Sequence, residues 1–128
     1  MNIKPDIFKA YDIRGRYPDE LNEETALTIA AALGRHFKSG KIVVAYDTRL
    51  SSPQLYAAAI EGLMTNPDLE IEKIDLATTP MFYFLANQLK AVGGIMITAS
   101  HNPKEYNGLK VVGYGGLVMS GKEIYGLL

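Results

Sequence analysis

Cysteine is absent from the chain, which excludes a disulfide scaffold, a zinc–thiolate centre and a cysteine nucleophile and agrees with a reducing cytosol. Neither sign of charge dominates. The 13 Lys and Arg against 14 Asp and Glu leave a formal net charge of −1, so no electrostatic signal points to nucleic acid or an anionic membrane as a partner. No apolar run approaches the ~18–20 residues that cross a bilayer. Met1 to Gly15 also lacks an apolar stretch of signal-peptide length. There is no internal repeat and no low-complexity tract. What remains is an ordinary globular composition, 48% hydrophobic and 21% charged over 128 residues. A chain of this length buries roughly two thirds of its unfolded surface as one domain. The expectation is a soluble, cytoplasmic domain.

From Lys41 onward strand-like and helix-like periods alternate. Ile42-Val43-Val44-Ala45-Tyr46 has the β-branched pattern of a strand buried on both faces. Ser51-Ser52-Pro53 supplies hydroxyl caps and a Pro for a helix start, and Tyr56, Ala59, Ile60 and Leu63 then recur at helical spacing until Asn66-Pro67-Asp68. Ile71 to Leu76 forms a second strand whose Glu72, Lys73 and Asp75 suit a charged sheet edge. Thr79-Pro80 repeats the cap-then-Pro device ahead of Met81, Leu85 and Leu89. Gly94 to Ala99 is a third strand.

These segments make a βαβαβ unit with a largely parallel sheet. Only a turn-rich segment, Ser100 to Asn107, separates the third strand from Gly108-Leu109-Lys110-Val111-Val112, so this last strand is expected to fold back antiparallel. The predicted fold class is α/β: a mixed, mostly parallel four-stranded sheet, βαβαββ, flanked by helices. A further helix is expected over Glu23 to Lys38, capped by Asn22, with Ala26, Ile29, Ala30, Leu33 and Phe37 on its buried stripe. Lys122 to Leu128 begins one more amphipathic helix, with Ile124, Leu127 and Leu128 at i, i+3 and i+4. The chain divides on this reading into a domain over 1–121 and, over 122–128, the start of a cut-off helix leading to a second domain.

In an open parallel sheet, ligands bind beyond the carboxyl ends of the strands. Those ends carry Asp47-Thr48-Arg49, Ala77-Thr78-Thr79 and Ser100-His101-Asn102-Pro103, hydroxyls and cations beside helix starts that suit an anion such as phosphate. If residues 108–112 pair antiparallel with 94–99, Lys110 comes near Ser100. Leu109 and Val111 then face one side, Lys110 and Val112 the other. A seryl oxygen is a weak nucleophile without an assisting base or cation. If it carried a phosphoryl group, the added ~1.5–2 negative charges would call for cationic partners. The alternative is a structural turn, which Ser, His, Asn and Pro all favour.

Thr98-Ala99-Ser100-His101-Asn102-Pro103-Lys104-Glu105-Tyr106-Asn107-Gly108-Leu109-Lys110 resembles the phosphoserine loop of the α-D-phosphohexomutases. Phe8-Lys9-Ala10-Tyr11-Asp12-Ile13-Arg14-Gly15 resembles that family's N-terminal signature, and Tyr46-Asp47-Thr48-Arg49-Leu50-Ser51-Ser52 its second loop. The three segments stand in the family's order. Tyr106-Asn107-Gly108 is more similar to phosphomannomutase/phosphoglucomutase members than to phosphoglucosamine mutases, which tend to carry Asp-Asn-Gly there.

The resemblance implies a phosphoryl shuttle between hexose 1-phosphate and hexose 6-phosphate. Ser100 matches the serine that carries the phosphoryl group, passes it to a hexose phosphate and recovers one from the bisphosphate intermediate. Hexose 1,6-bisphosphate is the implied activator and Mg2+, on a phosphoserine oxygen of Ser100, the implied metal. Lys110 matches the lysine that assists proton transfer, and Arg14 the arginine near the transferring phosphate. His101 is a candidate donor to phosphate or sugar oxygen. Tyr11 and Asn102 are the candidate substrate-binding residues: Tyr11 borders the substrate cleft or simply packs, and Asn102 also orients the loop through its own backbone. Asp47 and Arg49 are expected to pair and hold their own loop, and His36 to be a solvent-facing charge at a helix end. Gly113, Gly115 and Gly116 lack dinucleotide-binding spacing and form a turn.

The family's metal loop supplies three aspartates, whereas here no two Asp lie within two positions of each other. The implied partners are therefore the remaining domains of a parent chain as well as the hexose phosphate. The fragment is expected to turn over little substrate by itself. Two other classes stand beside this one. The first is an anion-binding module whose serine is never phosphorylated. The second is a serine hydrolase, disfavoured by the missing Gly-x-Ser-x-Gly elbow and by His101 lying next to Ser100 in sequence.

Overall fold

In the computed structural model, which describes residues 3–128, the run Ile42 to Ala45 is the fully buried middle of strand β2 (Gly40–Tyr46). Its alternate residues enter different layers. Ile42 and Val44 pack with helices α1 (Glu23–Phe37) and α2 (Ser52–Leu63), whereas Val43 and Ala45 pack with Phe82 and Ala86 of α3 (Thr79–Gln88). Period-two alternation thus makes a three-layer sandwich with α1 and α2 on one face and α3 on the other.

The sheet has five strands in the order β1-β5-β4-β2-β3, with β1 over Ile13–Arg16, β3 over Leu69–Leu76, β4 over Gly93–Ile97 and β5 over Tyr106–Gly113. β2 runs parallel to β3 and β4, and β5 returns antiparallel to β4 as expected, with Ile97 opposite Leu109 and Met96 opposite Lys110. β3 is a sheet edge. The expected four strands become five because β1 pairs antiparallel with β5, Ile13 opposite Leu109 and Arg14 opposite Gly108. Four residues, two of them Arg and one Gly, carry no apolar alternation; the exposed backbone of β5 makes them a strand.

Local chemistry explains most of the helix ends. Asn22 Oδ1 accepts the Thr25 N–H at 3.0 Å, and Ala26, Ile29, Ala30 and Leu33 form the fully buried stripe of α1. The cap of α3 is Thr78, one residue earlier than expected. Its Oγ1 accepts the Met81 N–H at 3.2 Å, which places Pro80 within the first helical turn. Ser51 precedes α2 but makes no side-chain cap, because both serine hydroxyls are engaged by Asn107.

The last helix, α4 (Gly121–Tyr125), starts at Gly121 rather than Lys122 and is closed by a reciprocal Ser120–Glu123 capping box. Ile124 is fully buried in the main core and Tyr125 meets Phe8 edge-on at 5.0 Å. Leu127 packs partly on the core, while Leu128 is exposed. Gly62 lets α1 and α2 approach closely: a Cβ there would collide with the Leu27 carbonyl and stand 2.9 Å from Ala30 Cβ.

The β2–β3 register shifts between Val44 and Ala45, where Asp75 takes a left-handed φ of 66°. Tyr56 of α2 secures this bulge, its hydroxyl donating to Asp75 Oδ1 at 2.9 Å and accepting the Asp75 N–H at 3.3 Å. Burial first, then the bond to the Asp75 carboxylate, hold the Tyr56 phenol above its ordinary range. The unfolded chain ionises this phenol near pH ~10 and the folded chain only at higher pH, so its contribution is complete below pH ~10 and is lost as pH rises further. Urea unfolding of Tyr56→Phe is expected to show lower stability at neutral pH, by about 1–2 kcal/mol. It is also expected to show a smaller further loss than wild type between about pH 9 and about pH 11.

Candidate functional site

Helix α3 covers β2, β4 and the Val112 end of β5 on its face of the sheet, and leaves the Lys110 end of β5 and β1 open there. On that side Lys110 alternates with the buried Leu109 and Val111, and Arg14 with the buried Ile13 and Gly15. The carboxyl end of β4 leads into the 98–106 loop beside them. One open face therefore gathers two cations and a serine-bearing loop.

That loop is held from outside itself. The Arg49 Nη1 group donates to the carbonyls of Pro103 at 2.7 Å and Tyr106 at 3.1 Å, and Nη2 to those of Ser100 at 2.9 Å and Asn102 at 2.7 Å. Its Nε lies 3.5 Å from Asp47 Oδ2, so all five guanidinium donors face a partner. Asp47 is itself fixed, its Oδ1 accepting the Arg49 N–H at 3.1 Å and the Ser52 hydroxyl at 2.6 Å. Fully buried Asn107 completes the circuit by donating to Ser51 Oγ at 2.8 Å and Ser52 Oγ at 3.0 Å, while its Oδ1 accepts the Gly108 N–H.

Ser100 sits at the tip with a left-handed φ of 55°. Its N–H donates to the buried Thr98 hydroxyl at 3.0 Å and its carbonyl accepts from Arg49, which together hold a backbone conformation that serine disfavours. The Ser100 side chain is exposed and makes no hydrogen bond with the described residues. Asn102 is tied within the loop, its backbone N–H at 3.1 Å and its side-chain amide at 2.9 Å both donating to the Ala99 carbonyl.

Arg14 and Lys110 are brought together by a residue the sequence reading did not single out. Asp12, only 4% exposed, accepts Arg14 Nε on Oδ1 at 2.9 Å and lies 3.4 Å from Lys110 Nζ through Oδ2. Strand pairing alone does not put Lys110 beside Ser100. Lys110 stands opposite Met96, and the Thr98 N–H reaches the Gly108 carbonyl at 2.9 Å. Arg14, Asn102, Tyr106, Lys9 and Glu20 line one cleft of about 400 Å³. His101 is exposed and makes no hydrogen bond to Ser100. Tyr11 is 75% exposed and lies outside the cleft lining, so it does not pack in the core. His36 is exposed at the end of α1, and Tyr114–Gly116 form the expected turn.

Asp47 and Arg49 do pair, but the four carbonyl bonds reach a loop some fifty residues away. Only tertiary structure reveals that reach. Asp12 carried no signal of its own beyond its place in the segment Phe8 to Gly15. Among the described residues no three His, Asp or Glu side chains gather to hold a cation. The described residues therefore do not form a Mg2+ site by themselves, and a phosphate on Ser100 would contribute one ligand. Among the described residues no helix is long and apolar enough to cross a membrane.

Residues 5–127 match the family model described as phosphoglucomutase/phosphomannomutase, alpha/beta/alpha domain I. The chain is 50% identical over 105 residues to a protein of Xanthomonas campestris named phosphohexose mutases, covering 82% of this chain and 23% of that one. It is 46% identical over 114 residues to a phosphomannomutase of Klebsiella pneumoniae, covering 89% of this chain and 72% of that one. A solved phosphoglucomutase/phosphomannomutase family protein from Burkholderia thailandensis superposes with a TM-score of 0.85 at 36% identity, over 98% of this chain and 30% of that one. The chain thus spans about a quarter of the Xanthomonas relative's length.

Because a lysine cannot reproduce the planar fork of Arg49, Arg49→Lys is expected to lower stability by roughly 1–3 kcal/mol in urea unfolding. Limited proteolysis of that variant is expected to cut first within residues 99–106.

Proposed function

Since this chain belongs to the phosphoglucomutase/phosphomannomutase family as its domain I, we propose that it carries the phosphoryl group of a hexose phosphate mutase on Ser100. The observation that carries this reading is the pairing of an immobilised loop, whose tip exposes a free serine hydroxyl, with two tethered cations on the same open sheet face. The substrate class is a hexose 1- or 6-phosphate, interconverted through hexose 1,6-bisphosphate. The related proteins are named for mannose and glucose phosphates.

In the proposed transfer a new P–O bond forms at Ser100 Oγ while the bond from phosphorus to the sugar oxygen breaks. The seryl proton leaves and the sugar oxygen gains one. Such a transfer asks the protein mainly to position groups and neutralise charge on the phosphoryl oxygens. Arg14 supplies fixed positive charge through its Nη groups. Lys110 contacts the phosphoryl group and assists movement of the seryl proton. His101, exposed at the tip, donates to a phosphate or sugar oxygen. Asn102 shapes the loop, and Tyr11 offers an exposed ring at the margin for the sugar. Bound to a phosphate on Ser100, Mg2+ would add charge neutralisation, with most of its ligands coming from outside the described residues. The remaining ligands and the sugar-selective contacts belong, on this reading, to further domains of a parent chain.

Labelled hexose 1,6-bisphosphate, added with Mg2+, tests the proposal by intact mass and peptide mapping. One phosphoryl group is expected on Ser100 and none on Ser100→Ala, with Arg14→Ala slowed on the order of 10²–10³-fold. Mutase turnover by this chain alone is expected to stay near background. Label on another residue, or none at all, would leave only an anion-binding module.

A further inference from the structure

Asp12 is the only buried carboxylate among the described residues. A carboxylate survives out of water only when paired, and it can only accept. Here each oxygen takes a different cation: Oδ1 the Nε of Arg14 at 2.9 Å, Oδ2 the Nζ of Lys110 at 3.4 Å. The two cations come from different strands, β1 and β5. Gly108, opposite Arg14, keeps this crossing passable: a Cβ there would collide with the Ile13 carbonyl and crowd Arg14 Cγ at 3.1 Å.

The pairing consumes Arg14 Nε and one ammonium donor. It leaves the Arg14 Nη groups and the remaining Lys110 donors without a hydrogen bond among the described residues. Without Asp12, two like charges on neighbouring strands would repel and separate.

We propose that Asp12 is the positioning residue of this site, holding Arg14 and Lys110 as one unit so that their unused donors share a single phosphoryl dianion. The inference deepens the reading of Ser100 as phosphoryl carrier and rests on it for the identity of that dianion. It also makes a prediction opposite in sign to simple electrostatics. Removing a negative charge beside two cations ought to tighten anion binding, whereas loss of a positioning group weakens it.

The test is an orthophosphate titration of this chain, followed through the ¹⁵N resonances of Arg14 Nε and Lys110 Nζ, with thermal unfolding as the check on folding. Wild type is expected to show saturable shifts at both atoms, and Asp12→Asn a weaker affinity on the order of tenfold. Asp12→Glu keeps the charge but displaces it by one methylene, and is expected to weaken binding as well. Equal or tighter phosphate binding by a folded Asp12→Asn would overturn the inference, as would a wild type in which neither resonance responds. Should both variants unfold, exchange of the Arg14 Nε–H in the free wild type decides: slow exchange supports the tether and free-solution exchange refutes it. Phosphate binding through both cations with no labelling of Ser100 would sink the functional reading and leave this inference standing; labelling without the Asp12 effect would do the reverse.

Discussion

The serine-bearing end of this domain depends on one guanidinium. Without Arg49, the loop that carries Ser100 would be an exposed turn with several carbonyls offered only to water. With it, four of those carbonyls converge on a single planar donor set, itself fixed by Asp47. The arrangement is efficient for a physical reason. A loop cannot bury enough side chain to order itself, but its backbone acceptors can be gathered by a group with five donors in a rigid fork. Ser51, Ser52 and Asn107 extend the same circuit into the start of β5, so the serine loop and the returning strand are held as one body.

Topology decides what that body faces. A βαβ crossover needs a covering helix, and α3 covers β2 and β4. The step from β4 to β5 is a return rather than a crossover, so no helix follows, and beyond Val112 the α3 side of β5 and β1 stays open. Side chains that would be core elsewhere in the sheet are Lys110 and Arg14 there. Asp12 then makes their approach tolerable, one oxygen for each. Fixed loop, open face and paired cations are three consequences of ordinary folding rules that meet at one place.

Much of this was legible in the residues. The alternation of Ile42 to Ala45, the stripe of Ala26, Ile29, Ala30 and Leu33, and the helix-free step from residue 99 to residue 108 specify layers and strand direction by period alone. Ser100, Arg14, Lys110 and Asn102 could be singled out because their types and order match a family pattern. The fifth strand could not, since Ile13–Arg16 becomes a strand only through the edge of β5. Nor could the reach of Arg49, because its partners are main-chain carbonyls whose identity leaves no trace in side-chain pattern. Thr78 displaced Thr79 as the cap, and the Ser51 and Ser52 hydroxyls were drawn from a cap to Asn107, where local preference yielded to tertiary hydrogen bonding.

The most direct measurement of the central claim is residue-resolved amide hydrogen exchange across 99–106 in the wild-type chain. An ordered loop predicts that the N–H groups of Ser100, Asn102 and Tyr106 exchange at least ~10²-fold more slowly than in an unstructured peptide of the same sequence, despite lying at the surface. Free-peptide rates at all three would mean that the guanidinium does not hold the loop, and the account built on it would fail.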